Sequence, residues 1–501
     1  MSPRPDPLCG ALAAAVALLL PACAVGPNYA KPSAPAPAAF KEASVEPSEW
    51  KVAQPGDALA RGSWWKTFGD PGLDALEEQV SPANQNVAQA EARYRAARAA
   101  VRQTRADFYP TVTGAASVTR ARASAARSGS TSASDGTTTS SPVTTTLYGA
   151  SADASWELDV WGRVRRSVES SVASAEAAAA DLENVRLSMQ GELAVDWFQL
   201  HGYDAQKELL ETNVTAQERA LHLTRNRHDQ GVVSGVDVAQ AETLLETTRA
   251  QVIDLGIGRA QTEHAIAVLV GKAPADLTIP PAKIGVAPPA IPGLLPSELL
   301  ERRPDVAAAE RRTASANALI GVAVAAYFPK LSLDASAGFL SGTLAKLFSA
   351  PAFVWSVGPS ALATLFDAGR RRAVTQQRRA EYDAAVGAYR ETVLTAFQEV
   401  EDQLVALRLL AREETQQAAA VAAAERSLKL AENRYQGGIT TYLEVVIAQS
   451  VALSNERTAV DLLTRRMTAS VNLVRALGGG FEEARRREAA AGAARPSEAA
   501  K

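Results

Sequence analysis

Two carboxylates occupy corresponding positions in the chain. Asp237 follows a turn that contains Gly231 and Gly235, and Glu444 follows a similar turn at Gly438. Each acid is expected just inside the N-terminus of a helix, where the helix dipole favours a negative charge. The same side chains could instead present that charge to a ligand or a partner. The residues alone leave both roles open.

The other residue types that carry chemistry point away from catalysis. Cys9 and Cys23 both lie near the start of the chain, which excludes a disulfide framework or cysteine zinc site in a processed protein. No histidine has metal-ligand spacing, and we expect all four to be solvated on helix surfaces: His201, His222, His228 and His264. Without a GxSxG, HExxH or nucleotide-binding motif, we predict no enzyme, no metal and no cofactor. The formal net charge of -3 gives no indication of nucleic acid binding.

The N-terminus has the pattern of an export signal. Arg4 precedes an apolar run at 11–20, which ends in Leu-Pro-Ala-Cys at Cys23. This ending resembles a bacterial lipobox, which predicts removal of residues 1–22 and lipidation of Cys23. Plain cleavage near Ala22 is the alternative. Since a spanning helix needs about 20 apolar residues and no later segment offers them, any spanning part would consist of strands.

The rest of the chain is a tandem repeat. Short motifs recur in the same order in both halves, which favours duplication over chance. They are Phe108-Tyr109-Pro110 with Tyr327-Phe328-Pro329, Gly162-Arg163 with Gly369-Arg370, Asn226-Arg227 with Asn433-Arg434, and Asp237-Val238 with Glu444-Val445. Prolines are absent between Pro142 and Pro274 and between Pro359 and Pro496, so each half has room for long helices.

Each half is predicted to contain a leading helix, two strands, a long helix and a shorter returning helix. The predicted helices are 84–106, 163–230 and 236–269, then 305–327, 370–436 and 443–477. The long helices would each extend about 100 Å. A coiled-coil seam is predicted from apolar residues spaced by three and four: Val393, Phe397, Val400, Leu404 and Leu407. The glycine turns are then the tips of two helical hairpins.

Four segments alternate between apolar and small polar residues, which is typical of amphipathic strands. They begin near Val112, Tyr148, Leu331 and Phe353, and a Ser/Thr-rich loop is predicted at 120–146. Strands of about ten residues with this alternation are typical of transmembrane barrels, although a soluble sandwich would give the same pattern. Four strands cannot close a barrel, which needs about eight. In lipid, several chains would therefore have to share one barrel, and three chains would supply twelve strands.

These features together resemble the TolC-like outer-membrane efflux proteins, the outer membrane factors, in their NodT-type lipoprotein branch. The resemblance covers nearly the whole mature chain. Its carriers are Cys23-Ala24-Val25-Gly26-Pro27-Asn28-Tyr29, Trp64-Trp65 with Phe68, Arg302-Arg303-Pro304-Asp305-Val306, Ala309-Glu310, Ile320-Gly321, Phe328-Pro329 and the two tip turns. It implies a mainly α protein with a transmembrane β part, assembled as a homotrimer. A twelve-stranded β-barrel would continue into a helical barrel.

The resemblance also implies a cellular role. The chain would sit in the outer membrane, lipid-anchored and extending into the periplasm, as the passive exit duct of a tripartite efflux pump. A periplasmic adaptor and an inner-membrane resistance-nodulation-division pump would be its partners. A ring of Asp237 and Glu444 with Tyr435 and Arg434 would form the periplasmic gate. Ile447 stands where a further acid is expected. The turns would contact the adaptor: Gly231, Val232, Gly235, Gly438, Ile439 and Thr440.

The predicted segments follow the repeat. They are a signal peptide at 1–22, an extended N-terminal segment at 23–72, a first repeat at 73–273, a Pro-rich linker at 274–304, a second repeat at 305–480 and a disordered tail at 481–501. A lipid-anchored coiled-coil scaffold or adhesin is the main alternative, but it would not need strand pairs at matching places. A channel for protein secretion is closer, and the Arg-Arg-Pro-Asp motif favours small-molecule efflux.

Overall fold

The computed structural model describes residues 24–35, 37, 40–41, 62–122, 144–289 and 302–479. The predicted signal peptide, Cys23 and the predicted tail lie outside these residues, as do parts of the predicted loop and of the predicted linker. The first repeat contains α1 (Pro71–Ala83), α2 (Gln85–Ala106), β1 (Thr111–Arg122), β2 (Thr144–Glu157), α3 (Arg163–Asp229) and α4 (Gly235–Leu269). The second contains α5 (Pro304–Ala325), β3 (Lys330–Ser341), β4 (Phe353–Leu362), α6 (Arg370–Gln436) and α7 (Tyr442–Ala476).

The predicted order of helices and strands is confirmed, with one addition. The segment up to residue 72 was expected to be extended, but it contains a 3-10 helix at Trp64–Phe68 and the start of α1. The carboxylate of Asp70 caps α1 by accepting the backbone N–H groups of Gly72 and Leu73 at 2.9 and 3.2 Å. Pro71 at the first helical position, which needs no donor, completes this start signal.

The chain divides into two compact units. The first comprises the described residues of Met1–Pro32, Arg95–Glu176 and Arg311–Gly387. Its centre is a single antiparallel sheet with the strand order β1-β2-β3-β4. Asp153 pairs with Thr113 on one side and Ser336 on the other, and Ser336 pairs with Ser356. Because directly paired residues share a face, this register separates the alternating residues of the sheet into two faces.

One face of the sheet is polar and the other is apolar. On the polar face, Ser336 donates to the carboxylate of Asp153 at 2.6 Å, and Ser155 donates to that of Asp334 at 2.7 Å. The opposite face carries apolar residues: Val112, Tyr148, Ala152, Leu333, Ala335, Trp355 and Val357. Every residue of β1 is exposed, and nearly all of β4 is as well. Neither face of these edge strands is covered by the described part of the chain.

The first described residues pack against the same unit. The backbone N–H of Val25 donates to Trp161 O at 3.1 Å, and Arg166 donates to the side chain of Asn28 at 2.8 Å. Gly26 has a φ of 97°, and a Cβ there would lie 2.5 Å from the Cα of Gly321. This contact requires glycine, which gives a physical reason for the Gly-Pro-Asn segment and for the later Ile-Gly pair.

The second unit comprises the described residues of Ser33–Tyr94, Ala177–Glu310 and Ala388–Lys501. Its main core joins the 3-10 helix and α1 to the helices of both repeats, through buried residues such as Trp64, Leu73, Leu193, Val393 and Val471. The predicted seam is confirmed, since Val393, Phe397 and Val400 are buried and Leu404 and Leu407 pack against them. Among the described helices, none has the length and apolar character needed to cross a bilayer.

Two buried polar clusters hold segments of the second unit together. Arg303 donates to Asp305 and Glu399, both at 2.6 Å, and to the carbonyl of Ala476 at 3.0 Å. The Arg-Pro-Asp segment therefore ties the start of α5 to α6 and to the end of α7.

The second cluster corrects one expectation. His201, predicted to be solvated, is buried at 3% exposure and contacts the Ala282 carbonyl at 3.1 Å. Asp204 accepts the Ala282 N–H at 3.1 Å and the Arg259 guanidinium at 2.6 Å. Hydrogen bonds to the ionised form hold the pKa of Asp204 below its usual range, despite the opposing effect of burial. The other three histidines are exposed, as predicted.

Candidate functional site

The tips of the two helical hairpins have the same backbone design. Gly231 after α3 and Gly438 after α6 are left-handed, with φ of 73° and 72°. The next N–H groups, of Val232 and Ile439, donate to the carbonyls of Arg227 and Arg434 at 2.8 and 2.9 Å. This is the Schellman motif, which ends a helix by satisfying its last carbonyls. Glycine is needed at the left-handed position because other residues are strained there.

An apolar side chain at the second position of each turn is exposed. In Schellman motifs this residue usually contacts a hydrophobic residue in the last helical turn. Here that turn carries Arg227 or Arg434, and Val232 and Ile439 are 59% and 72% exposed. Of the other predicted contact residues, Gly231, Gly235 and Gly438 are also exposed, while Thr440 is half-buried. The described tips thus expose an apolar residue at corresponding positions.

Asp237 belongs to a capping box. Ser234, the N-cap of α4, accepts the backbone N–H of Asp237 with its hydroxyl. The carboxylate of Asp237 in turn accepts the Ser234 backbone N–H at 3.1 Å. This arrangement satisfies two N-terminal donors of the helix. Asp237 therefore caps the N-terminus of α4, where its negative charge is favoured by the helix dipole. Its side chain is still half exposed.

Glu444 makes a different contact, although it corresponds to Asp237. Thr441, the N-cap of α7, makes no side-chain capping bond. The Glu444 carboxylate instead pairs with Arg434 at 3.2 Å, across the second hairpin from α7 to α6. Both side chains are about half exposed, so the pair contributes little to stability. The structure thus joins two of the predicted gate residues within one hairpin.

Tyr435 lies in an apolar cluster that joins the two tips. The cluster consists of Leu221, Ala241 and Leu245 from the first hairpin and Ala431, Tyr435, Tyr442 and Val445 from the second. The rings of Tyr435 and Tyr442 meet at a centroid distance of 5.2 Å. Burial, followed by the nearby Tyr435 and Glu432, raises the pKa of Tyr442 to about 12. The Tyr435 hydroxyl is buried and has no hydrogen-bond partner among the described residues.

Arg227 was not among the predicted site residues. Its guanidinium carbon lies 4.8 Å from the centroid of the Tyr435 ring. Its Nη1 also donates to the Tyr435 carbonyl at 3.3 Å. A signal for this residue was present in the sequence, because Arg227 corresponds to Arg434 in the repeat. The described residues contain no group of His, Cys, Asp or Glu side chains that could hold a metal ion.

Two solved outer-membrane channels have a similar fold. The solved OprN channel matches with a TM-score of 0.81 and 33% identity, covering 92% of this chain and 100% of that one. The open-state MtrE channel of Neisseria gonorrhoeae matches with a TM-score of 0.77 and 27% identity, covering 92% and 99%.

The chain belongs to the outer membrane efflux protein family, whose profile matches residues 78–272 and 295–479. It is 32% identical to the pyoverdine export outer membrane protein OpmQ of Pseudomonas aeruginosa, over 90% of this chain and 94% of that relative. It is also 32% identical to the probable efflux pump outer membrane protein TtgC of Pseudomonas putida, over 94% and 95%. The predicted family is confirmed.

Proposed function

We propose that the chain is the outer-membrane channel subunit of a tripartite efflux pump. It is a passive exit duct across the periplasm for small toxic compounds such as drugs, and it is gated at its hairpin tips. The relatives named as efflux pump and export proteins support this assignment. A periplasmic adaptor and an inner-membrane resistance-nodulation-division pump complete the machine and supply the energy.

The observation that carries the proposal is the open two-faced sheet. The edge strands β1 and β4 have no further strand beside them in the described chain. Unpaired edges are costly in lipid, and four strands are too few for a barrel. Three copies joined edge to edge supply twelve strands. The apolar face then meets lipid, and the serine and aspartate face lines an aqueous passage, as in other outer-membrane barrels.

The tip turns are the proposed contact with the adaptor. Val232 and Ile439 each expose an apolar side chain at the same position of the two turns. Exposed apolar residues at corresponding places of two hairpins suit contact with a partner protein. The predicted gate consists of Asp237, Glu444, Tyr435 and Arg434, close behind these turns.

Single-channel recording in planar bilayers tests this function. The wild type is compared with Asp237→Ala/Glu444→Ala and with Asp237→Asn/Glu444→Gln. The second pair removes the charge while Asn retains an acceptor for the Ser234 N–H. We expect small cation-selective steps from the wild type, since rings of acids favour cations. Both pairs should give less cation-selective steps because the charges are gone, and larger steps because two residues of the proposed gate are changed.

Two other results would count against the proposal. Larger steps only from the alanine pair would mean that Asp237 acts as a helix cap and that the charges do not gate the channel. No conductance from any variant, with protein that is monomeric in detergent, would leave a lipid-anchored helical scaffold as the better description.

A further inference from the structure

Of the four predicted gate residues, only Tyr435 contacts the other hairpin within the described part of the chain. Asp237 is bound within its own turn, to Ser234. Arg434 and Glu444 are paired with each other inside the second hairpin. Neither contact joins one hairpin to the other. A gate that opens by separating the hairpins needs a bond that crosses from one to the other.

Arg227 makes such a bond. It extends from the last turn of α3, in the first hairpin, to Tyr435 in the last turn of α6, in the second. Its guanidinium faces the aromatic ring at 4.8 Å and donates to the Tyr435 carbonyl at 3.3 Å. The cation is attracted by the ring face. The Tyr435 carbonyl also accepts the Gly438 N–H at 3.0 Å, so the bond from Arg227 uses its second lone pair.

The environment strengthens this contact. Tyr435 is only 6% exposed, and Arg227 is half-buried above it. A cation over an aromatic ring gains most where water is excluded. Tyr442 packs against the same ring and fixes its orientation. Moving the second hairpin away would expose the ring and leave the arginine without both of its contacts.

The repeat provides an internal comparison. Arg227 and Arg434 occupy corresponding positions, and the residue after each differs: His228 in the first repeat and Tyr435 in the second. His228 contacts the Val233 carbonyl of its own turn. The two arginines therefore have different partners because only the second repeat has a tyrosine at this position. The contact between an arginine and a tyrosine is therefore made in one direction, from the first hairpin to the second.

We propose that Arg227 is a positioning residue of the gate, which clasps the Tyr435 ring and carbonyl and so holds the second hairpin closed against the first. This inference rests on the proposed channel function. It assigns the role of Tyr435 to its ring face and backbone. The hydroxyl, which has no partner among the described residues, is not part of the clasp.

Conductance of full-length variants in planar bilayers tests the clasp. Arg227→Ala and Tyr435→Leu are each expected to raise the conductance severalfold, and the double variant no further than either alone. Arg227→Lys retains the cation without the planar fork and is expected to give an intermediate conductance. Tyr435→Phe retains the ring and carbonyl and is expected to behave as wild type.

Arg225→Ala is the matched control, because Arg225 pairs with Glu242 at 2.5 Å inside the first hairpin. It is expected to leave the conductance unchanged. Wild-type conductance from Arg227→Ala, or an open channel from Tyr435→Phe, would overturn the clasp while the channel function stands. Additive effects in the double variant would also overturn it, since coupled partners must be non-additive. A wild type that forms no channels would overturn the proposed function, and the clasp with it.

Discussion

Glu77 has a carboxyl group at a buried position whose neighbours on the same helix face are apolar. It lies on α1 between Leu73 and Val80 on the buried face, and is itself 1% exposed. Neither carboxyl oxygen has a hydrogen-bond partner among the described residues. Burial, and secondarily the charge of Asp74, raises its pKa from 4.5 to about 9. The folded protein therefore holds this side chain neutral at the pH of most media.

This predicts a loss of stability as the pH rises. The folded state binds the proton more tightly than the unfolded state, so stability from this group is complete below pH 4.5 and falls until about pH 9. At neutral pH the loss is on the order of 3 kcal/mol. Glu77→Gln should flatten the pH dependence of thermal unfolding between these limits.

Glu78→Gln is the control for this measurement. Glu78 is exposed and pairs with Lys66 at 3.5 Å, a contact that contributes little to stability. Equal slopes for wild type and Glu77→Gln would mean that Glu77 finds a partner or water in solution.

Single residues also show the limits of sequence reasoning. The position of His201 on a helix was predictable, but its burial depends on the Ala282 segment, which is distant in the chain. Likewise, the Arg-Pro-Asp motif was recognisable, whereas the bond from Arg303 to the Ala476 carbonyl was not. Periodicity shows which residues share a face. Which segment covers that face is decided by tertiary contacts.

Helices and strands were the most predictable level. The long helices were bounded by proline gaps and glycine turns, which act locally. The helix α1 was missed although Asp70 and Pro71 form a standard start signal. In the sequence, Pro82 indicates an interruption of the helix, whereas the helix continues through Pro82 in its last turn.

The N-caps of α4 and α7 offer a matched pair of substitutions. Ser234 caps its helix with its side chain, while the corresponding Thr441 does not. Ser234→Ala should therefore cost about 1 kcal/mol locally, and Thr441→Ala much less. Hydrogen exchange should accelerate about fivefold at the first amides of α4 in the serine variant. Equal acceleration at both tips would show that the capping box does not persist in solution.

At the scale of the molecule, the sequence predicted the duplicated fold because the same motifs recur in order. The site was only partly predictable. The hairpin tips do contain the predicted residues Asp237, Glu444, Arg434 and Tyr435. However, the pairing of Arg434 with Glu444 and the contact of Arg227 with Tyr435 depend on the tertiary structure. The two tips have the same backbone design, but their different side chains make different contacts. A repeat pattern in the sequence cannot predict which contacts each tip makes.

Lipidation of Cys23 remains a prediction at this scale. The intact mass of protein extracted from outer membranes should exceed that of the chain beginning at residue 23 by a diacylglycerol and an acyl group. Cys23→Ser should lack this increment. A wild-type mass that matches unmodified cleavage near Ala22 would remove the lipid anchor and leave the strands to hold the protein in the membrane.

Corresponding long helices of the two repeats are equal in length: α3 and α6 have 67 residues each, and α4 and α7 have 35 each. One inserted residue would turn everything beyond it by about 100° around the helix axis. The segments 227–237 and 434–444 could therefore be exchanged without shifting reading frame or helical phase. Recombination between the two halves of the coding sequence would exchange the capping box of one tip for the ion pair and the tyrosine of the other in a single step. A duplicated chain of this kind therefore contains a second version of each hairpin tip from which the other could be redesigned.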